Sequence, residues 1–288
     1  MKKIVIFVGI VLISNLCSAD VIRGISIDFV NIYHAGNVAD IDGTPGWGAV
    51  GYNYRIGKYE ITNDQWNNFI TAVGVPTGNT HGAYDGSPYF TGSQQPVNNI
   101  SWYEAIQFCN YLTSGDKSKG AYQFSGNNTN PGNFQGINRE TAQQTYGKVY
   151  VLPTINEWYK AAYYKSDGSS YTLYANGTNT IPSTSEACYS IYSSPWNVGM
   201  GLQEQNGTFD MMGNVWEWNE TAYPVRGVVY ICGGAWSGSG SAGLAASNQR
   251  YNNDTYEGMF TGFRIAVIPE PTTLCLFGLG LIALRRKK

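Results

Sequence analysis

The chain has 288 residues, a length that suits one large domain or two small ones. Its formal charge is −2 and only 13% of residues are charged, which argues against the basic stripe of a phosphate-backbone binder, so no nucleic acid is expected as a partner. Aromatic residues make up 14% of the chain and glycine contributes 35 positions, enough ring surface for a sizeable core and enough glycine for much irregular backbone.

The N-terminus has the layout of a secretory signal. Lys2 and Lys3 precede an apolar run from Ile4 to Ile13, and Cys17-Ser18-Ala19 offers a small-residue cleavage site before Asp20. The run is too short for a spanning helix. A lipoprotein reading through Cys17 meets the bulky Leu16 where a small residue is expected, so cleavage after Ala19 is preferred, giving a signal peptide over residues 1–19.

From Val21 to Tyr59 the chain alternates loosely and is broken by Gly and Pro, which predicts short strands and turns. Three helices follow, each announced by a capping box: Thr62 with Gln65, Ser101 with Glu104, and Thr154 with Glu157. Trp66, Phe69, Ile70 and Val73 line one face of the first, which Gly74 stops. Trp102, Ala105, Ile106, Cys109 and Leu112 do so in the second, and Trp158, Ala161 and Ala162 in the third. Between them, residues 77–95, 113–147 and 167–206 are rich in Gly, Asn, Ser and Thr and are expected to be loops. Beyond Asn206 the pattern is strand and turn. No internal repeat stands out. The expectation is an α+β domain with little regular secondary structure and long loops.

At the C-terminus Pro269-Glu270-Pro271 precedes an apolar run from Leu274 to Leu284 and a basic end, Arg285-Arg286-Lys287-Lys288. The run is about half the roughly 20 residues of a comfortable membrane helix, and the terminal cations would stay cytoplasmic during export. These features resemble the bacterial PEP-CTERM sorting tail; the alternative is an ordinary C-terminal anchor. Either way the working domain lies outside the cytoplasm, in the cell envelope or beyond. The resemblance implies transient membrane contact through the tail and a partner in the tail-processing machinery. The chain therefore divides into a signal peptide (1–19), a domain (20–267) and a sorting tail (268–288). Once the signal and tail are set aside, Cys109, Cys188 and Cys232 remain, an odd number that permits one disulfide at most and does not choose it.

Asp210, Gly213, Val215 and Glu217 form the best candidate metal site. The two acids offer carboxylate oxygens, and a turn through Met211-Met212-Gly213-Asn214 would aim two carbonyls at the same point, the mixed oxygen ligation that Ca²⁺ takes. The competing reading is a buried turn with Glu217 satisfied by backbone amides. His34 and His81 are the only histidines, so a three-histidine metal site is excluded. Ser237-Gly238-Ser239-Gly240-Ser241 has no helix after it and reads as a flexible loop rather than a nucleophile elbow. Phosphate-cradling and dinucleotide motifs are missing from the sequence. Arg250 and Arg264 stand as candidate anion binders or structural residues.

Several blocks occur in a fixed order: Ile56-Gly57-Lys58-Tyr59-Glu60-Ile61-Thr62-Asn63, Pro96-Val97-Asn98-Asn99-Ile100-Ser101-Trp102, Leu152-Pro153-Thr154, the run from Gly207 to Trp218, Gly233-Gly234-Ala235-Trp236, and Gly262-Phe263-Arg264. Together they resemble the formylglycine-generating-enzyme family, or sulfatase-modifying-factor domain. The resemblance spans nearly the whole mature chain and implies one domain with a variant of the C-type-lectin-like fold. It also implies a structural calcium at Asp210, Gly213, Val215 and Glu217, and a structural role for Arg264 in tying the last strand to the core. A second calcium site of the family falls in the poorly matching stretch 188–205, and no ligands carry across.

Cysteine-oxidising members carry a redox pair after the Gly-Gly-x-Trp block. Here the matching positions fall at about Gly238 and Gly243, and neither can bind copper, so no copper is expected. Cys232 precedes the block. Some relatives bridge the Cys109 position to a cysteine after Gly-Phe-Arg, and here that place is Ile265. The leading expectation is a catalytically degenerate surface or matrix protein that binds glycan or protein, with exopolysaccharide or a surface protein as partner. The alternatives are a copper-dependent oxidase converting a substrate cysteine to formylglycine, and an accessory domain with structural work alone.

Overall fold

All three capping boxes form. In the computed structural model, which describes residues 19–238 and 240–268, the Thr62 and Gln65 side chains cap each other's backbone N–H groups at 2.9 and 3.3 Å, and helix α1 runs Asn63–Val73. Ser101 and Glu104 do the same at 2.7 and 3.2 Å, opening α2 (Trp102–Ser114). Gly74 stops α1 with a φ of +76° and its N–H on Ile70 O, a conformation glycine adopts without strain.

Residues 113–147 hold more structure than the sequence reading expects. Strands β5 (Tyr122–Phe124) and β6 (Phe134–Ile137) pair as a hairpin. A further helix, α3 (Arg139–Tyr146), is capped by the Asn138 side chain on Thr141 N–H at 2.9 Å. Its only buried residue is Ala142, so it has no apolar stripe to betray it. The helix after Thr154 is therefore α4 (Ile155–Tyr163), with Trp158, Ala161 and Ala162 buried as expected.

Two four-stranded sheets organise the remainder. The first has the order β3 (Phe29–Ile32), β4 (Tyr54–Gly57), β12 (Ala266–Ile268), β7 (Val149–Val151), antiparallel throughout. Strands from both ends of the described chain thus meet in one sheet. The second has the order β10 (Arg250–Asn253), β9 (Val228–Cys232), β8 (Trp216–Ala222), β11 (Thr261–Gly262), with β11 parallel to β8. A small hairpin, β1 (Asp20–Ile22) with β2 (Ile25–Ile27), packs near α1.

The core is aromatic. Trp66, Phe69, Phe108 and Phe263 pack in tilted, stacked and edge-on pairs with centroids 5.1–6.2 Å apart, geometries that add to the area they bury. Among the described residues no helix is long and apolar enough to cross a membrane. The signal expected at 1–19 lies outside the described residues except for Ala19, and the tail expected at 268–288 lies outside them except for Ile268.

Candidate functional site

The run from Gly207 to Trp218 folds as a tight turn leading into β8. Asp210 and Asn214 take left-handed backbone conformations, with φ of +62° and +60°. Gly213 is required where it stands: its φ is +95°, and a Cβ there would lie 2.2 Å from Cys188 O. Asn214 explains the close approach. Its N–H donates to Cys188 O at 2.7 Å, its Nδ2 to Glu60 at 2.7 Å, and its Oδ1 accepts from Trp196 N–H at 2.9 Å. Gly213 N–H reaches Gly233 O, and Trp236 N–H reaches Asn214 O, both at 2.7 Å. The two glycine-rich blocks and the 188–196 loop are thereby stitched together.

Glu217 lies fully buried on β8. Its Oε1 accepts from Arg264 Nη2 at 2.6 Å, and its Oε2 from Arg264 Nε at 2.6 Å and Trp158 Nε1 at 2.7 Å. The partners are therefore a guanidinium and an indole, where the sequence reading offered backbone amides or a metal. Arg264 also donates to Gly57 O, Lys58 O and Phe209 O at 2.9–3.4 Å, and so ties the final segment to β4 and the Asp210 turn.

Three more carboxyl groups feel that guanidinium. Glu60 accepts from Asn214 Nδ2 and Val215 N–H; Glu204 accepts from Thr208 Oγ1 at 2.9 Å; Asp210 Oδ2 accepts from Gly199 N–H at 2.6 Å. Burial, reinforced by Asp210 and Glu217, holds the Glu60 carboxyl well above the usual carboxylate range. Burial likewise pushes Glu204 up to about 8 and Asp210 up to about 6, against the pull of Arg264. Four buried acids thus lie within electrostatic reach of one buried cation, a charge excess that must be met by protons or by another cation.

That excess suits a divalent ion, and Glu217 Oε1, which takes one hydrogen bond, keeps a lone pair. Asp210 and Glu217 supply the carboxylate oxygen that calcium takes, but both oxygens of Glu217 are already bonded to Arg264. Among the described residues no three His, Cys, Asp or Glu side chains are grouped so as to hold a metal ion.

Gly238 and Gly243, expected near the places of the family's redox pair, lie beyond β9. Gly238 is exposed, and Gly243 is buried in a 3₁₀ turn, Ser241–Leu244. Tyr163 OH donates to Leu244 O and Asn248 Nδ2 to Ala242 O, both at 3.0 Å, anchoring that turn. Cys109, Cys188 and Cys232 are all buried free thiols, so no disulfide joins them. Burial pushes Cys188 up to about 12; burial and then Glu217, its cross-strand neighbour, push Cys232 well up. Burial does the same for Cys109. Thiols held protonated in this way are poor nucleophiles and poor metal ligands.

The remaining candidates are scattered. His34 sits at the surface with Nε2 3.0 Å from Ser166 O, His81 is exposed elsewhere, and Arg250 is exposed on edge strand β10. Glu60 escaped the sequence reading as a member of the central cluster, although it stands in one of the ordered blocks. Arg139 escaped it too. It pairs with Glu157 at 2.8 Å and Glu220 at 2.8 Å, joining α3, α4 and β8.

Comparison with known proteins agrees with this layout. The sulfatase-modifying factor enzyme 1-like domain matches residues 47–268, and the PEP-CTERM protein-sorting motif matches residues 267–288, which indicates export to the cell envelope or beyond. The chaperone protein LppX of Paenibacillus barcinonensis is 27% identical over 186 residues, 58% of this chain and 61% of that protein. The chain therefore spans less than two thirds of the length of that relative. Among solved structures, Treponema denticola variable protein 1 superposes with a TM-score of 0.62 at 22% identity, covering 88% of this chain and 99% of that one. CarF superposes at 0.62 and 22%, covering 83% and 97%, and PvdO from Pseudomonas aeruginosa at 0.58 and 16%, covering 84% and 94%. At these identities the likeness shows the fold, that of formylglycine-generating-enzyme-like, C-type-lectin-like proteins. This chain belongs to the sulfatase-modifying factor domain family and carries a PEP-CTERM sorting motif.

Proposed function

We propose that this exported protein uses its sulfatase-modifying factor domain as a ligand-binding module for glycan or protein, without cysteine oxidation. One observation carries the reading. The stretch after the Gly-Gly-Ala-Trp block, Ser237 to Gly243, holds no cysteine, and the three thiols in the domain are buried. Serine hydroxyls and bare backbone compete poorly for Cu(I). Long loops on a fixed core are where binding sites concentrate, and sorting tails of this kind accompany exopolysaccharide-producing envelopes, which favours a glycan. The chaperone name of the curated relative supports protein as the other ligand class.

A structural calcium at Asp210, Gly213, Val215 and Glu217 belongs to the same proposal, supported by the excess of buried carboxyl groups there. Bound, the ion would stiffen the turn that joins the glycine-rich blocks. Copper is not part of it.

The purified protein, given copper, oxygen and reductant, should leave a sulfatase-type cysteine peptide unchanged. Aldehyde formation well above that of a Cys232→Ser variant would overturn the reading and restore the oxidase.

A further inference from the structure

At the hairpin end of β8 and β9, away from the glycine positions just described, lies a cavity of about 270 Å³. Its walls are rings and aliphatic groups: Trp102, Phe134, Tyr223 and Val225. Trp102 is held edge-on to Phe134 at 5.3 Å, with its Nε1–H spent on Asn219 O at 2.8 Å. Tyr223 is stacked on Tyr251 at 4.0 Å between centroids, and Tyr251 is 52% exposed. The rings are therefore fixed before any ligand arrives.

The polar groups facing the cavity differ in how far they are satisfied. Glu220 is neutralised by Arg139 and accepts from Tyr122 OH at 2.7 Å. Asp254 accepts from Tyr103 OH at 3.0 Å and from neighbouring backbone N–H groups, all neutral donors, and has no cationic partner among the described residues. Arg226, on the hairpin, is exposed and likewise without an ion-pair partner among them. Yet Asp254 and Arg226 line the same cavity. An acceptor-only group, a donor-only group and fixed aromatic walls form a complementary set.

We propose that this cavity binds one pyranose ring of a neutral or amino-bearing glycan. The inference rests on the ligand-binding reading above and assigns it a place. A pyranose presents apolar C–H faces to aromatic rings, and its hydroxyls both donate, to Asp254, and accept, from Arg226. With Glu220 already paired to Arg139, one free carboxylate, Asp254, stands against one free guanidinium, Arg226, a balanced pair that suits a neutral ring and gives an acidic sugar or a phosphate no net attraction. The volume lies just under the roughly 300–1,000 Å³ typical of sites for drug-sized ligands, which suits a single ring. The site is also distinct from the loop where the family's cysteines stand. Strand β9 separates them, with Val229 opposite Ala222 at the cavity end and Cys232 opposite Glu217 at the other, about 10 Å along the strand.

Calorimetric titration of the full-length protein with methyl hexosides, methyl hexosaminides, their oligosaccharides and a methyl uronide tests it. A hexose or hexosamine should bind, and the uronide should bind no more tightly than the hexose. Asp254→Asn and Arg226→Ala should each weaken binding by about tenfold, the size of one charge-assisted hydrogen bond. Arg226 is exposed, so its substitution should leave the melting temperature unchanged and keeps the test open if Asp254→Asn folds poorly. Sugar binding unmoved by both variants, or a preference for the uronide, overturns this assignment while leaving the ligand-binding reading standing. Failure of the wild-type chain to bind any glycan overturns both the assignment and the glycan reading.

Discussion

Glu217 and Arg264 face each other with neither side chain exposed, both carboxylate oxygens lying 2.6 Å from guanidinium nitrogens. One residue closes the metal-like motif on β8 and the other follows β11, 47 positions later. The pair joins the two sheets, because Arg264 also holds the carbonyl of Gly57 at the end of β4.

Breaking this pair from one side should be costly. Glu217→Gln leaves a buried guanidinium without its directly paired carboxylate, and Arg264→Met leaves a buried carboxylate with only Trp158. Each should lower unfolding free energy by about 3–5 kcal/mol in a denaturant titration, and the double variant by less than the sum of the two. Additive losses would show that the two side chains do not act as a unit.

Calcium should raise thermal stability if Asp210 and Glu217 hold the ion with the carbonyls of Gly213 and Val215. Chelation should then lower the melting temperature, and Glu217→Ala should abolish that dependence. An unchanged melt with chelator, in protein shown to be free of metal, sinks the calcium reading.

Glu204 should make stability fall as the medium becomes alkaline. Burial raises its folded value from 4.5 to about 8, so the fold favours the protonated acid. Its contribution is complete below about 4.5 and is lost as pH rises through about 8. Metal-free protein should show this decline in chemical denaturation between those limits, and Glu204→Gln should flatten it. A profile that is the same in wild type and variant would locate the titration elsewhere.

Export should shorten the chain at both ends. Mass spectrometry of the native envelope protein should find neither Met1 nor Lys288. A mature form that keeps Lys288 would point to a simple anchor.

Local signals in the sequence carried a good part of the fold. Thr62, Ser101 and Thr154 each cap a helix because the interaction reaches only three residues ahead. Helix α3 lacked such a voice: one buried alanine makes no periodicity, and its Asn138 cap precedes Arg and Glu rather than an apolar run. The central cluster was half legible. Asp210, Gly213 and Glu217 stand close together in a recognisable block, whereas the ties to Glu60, Trp158 and Arg264 are made only by tertiary folding. The glycan cavity was not legible at all, since Trp102 and Asp254 are distant in sequence and meet through the hydrogen bond from Trp102 N–H to Asp254 O.

Strand β12 ends at Ile268, where the described chain stops, yet it occupies an interior place in its sheet, hydrogen-bonded to β4 on one side and β7 on the other. In chain order β3, β4 and β7 all precede it, yet β4 and β7 have no contact in the sheet except through β12. The sheet therefore closes only when the segment next to the sorting motif takes its place, and loss of residues 266–268 would open two unpaired strand edges in its interior.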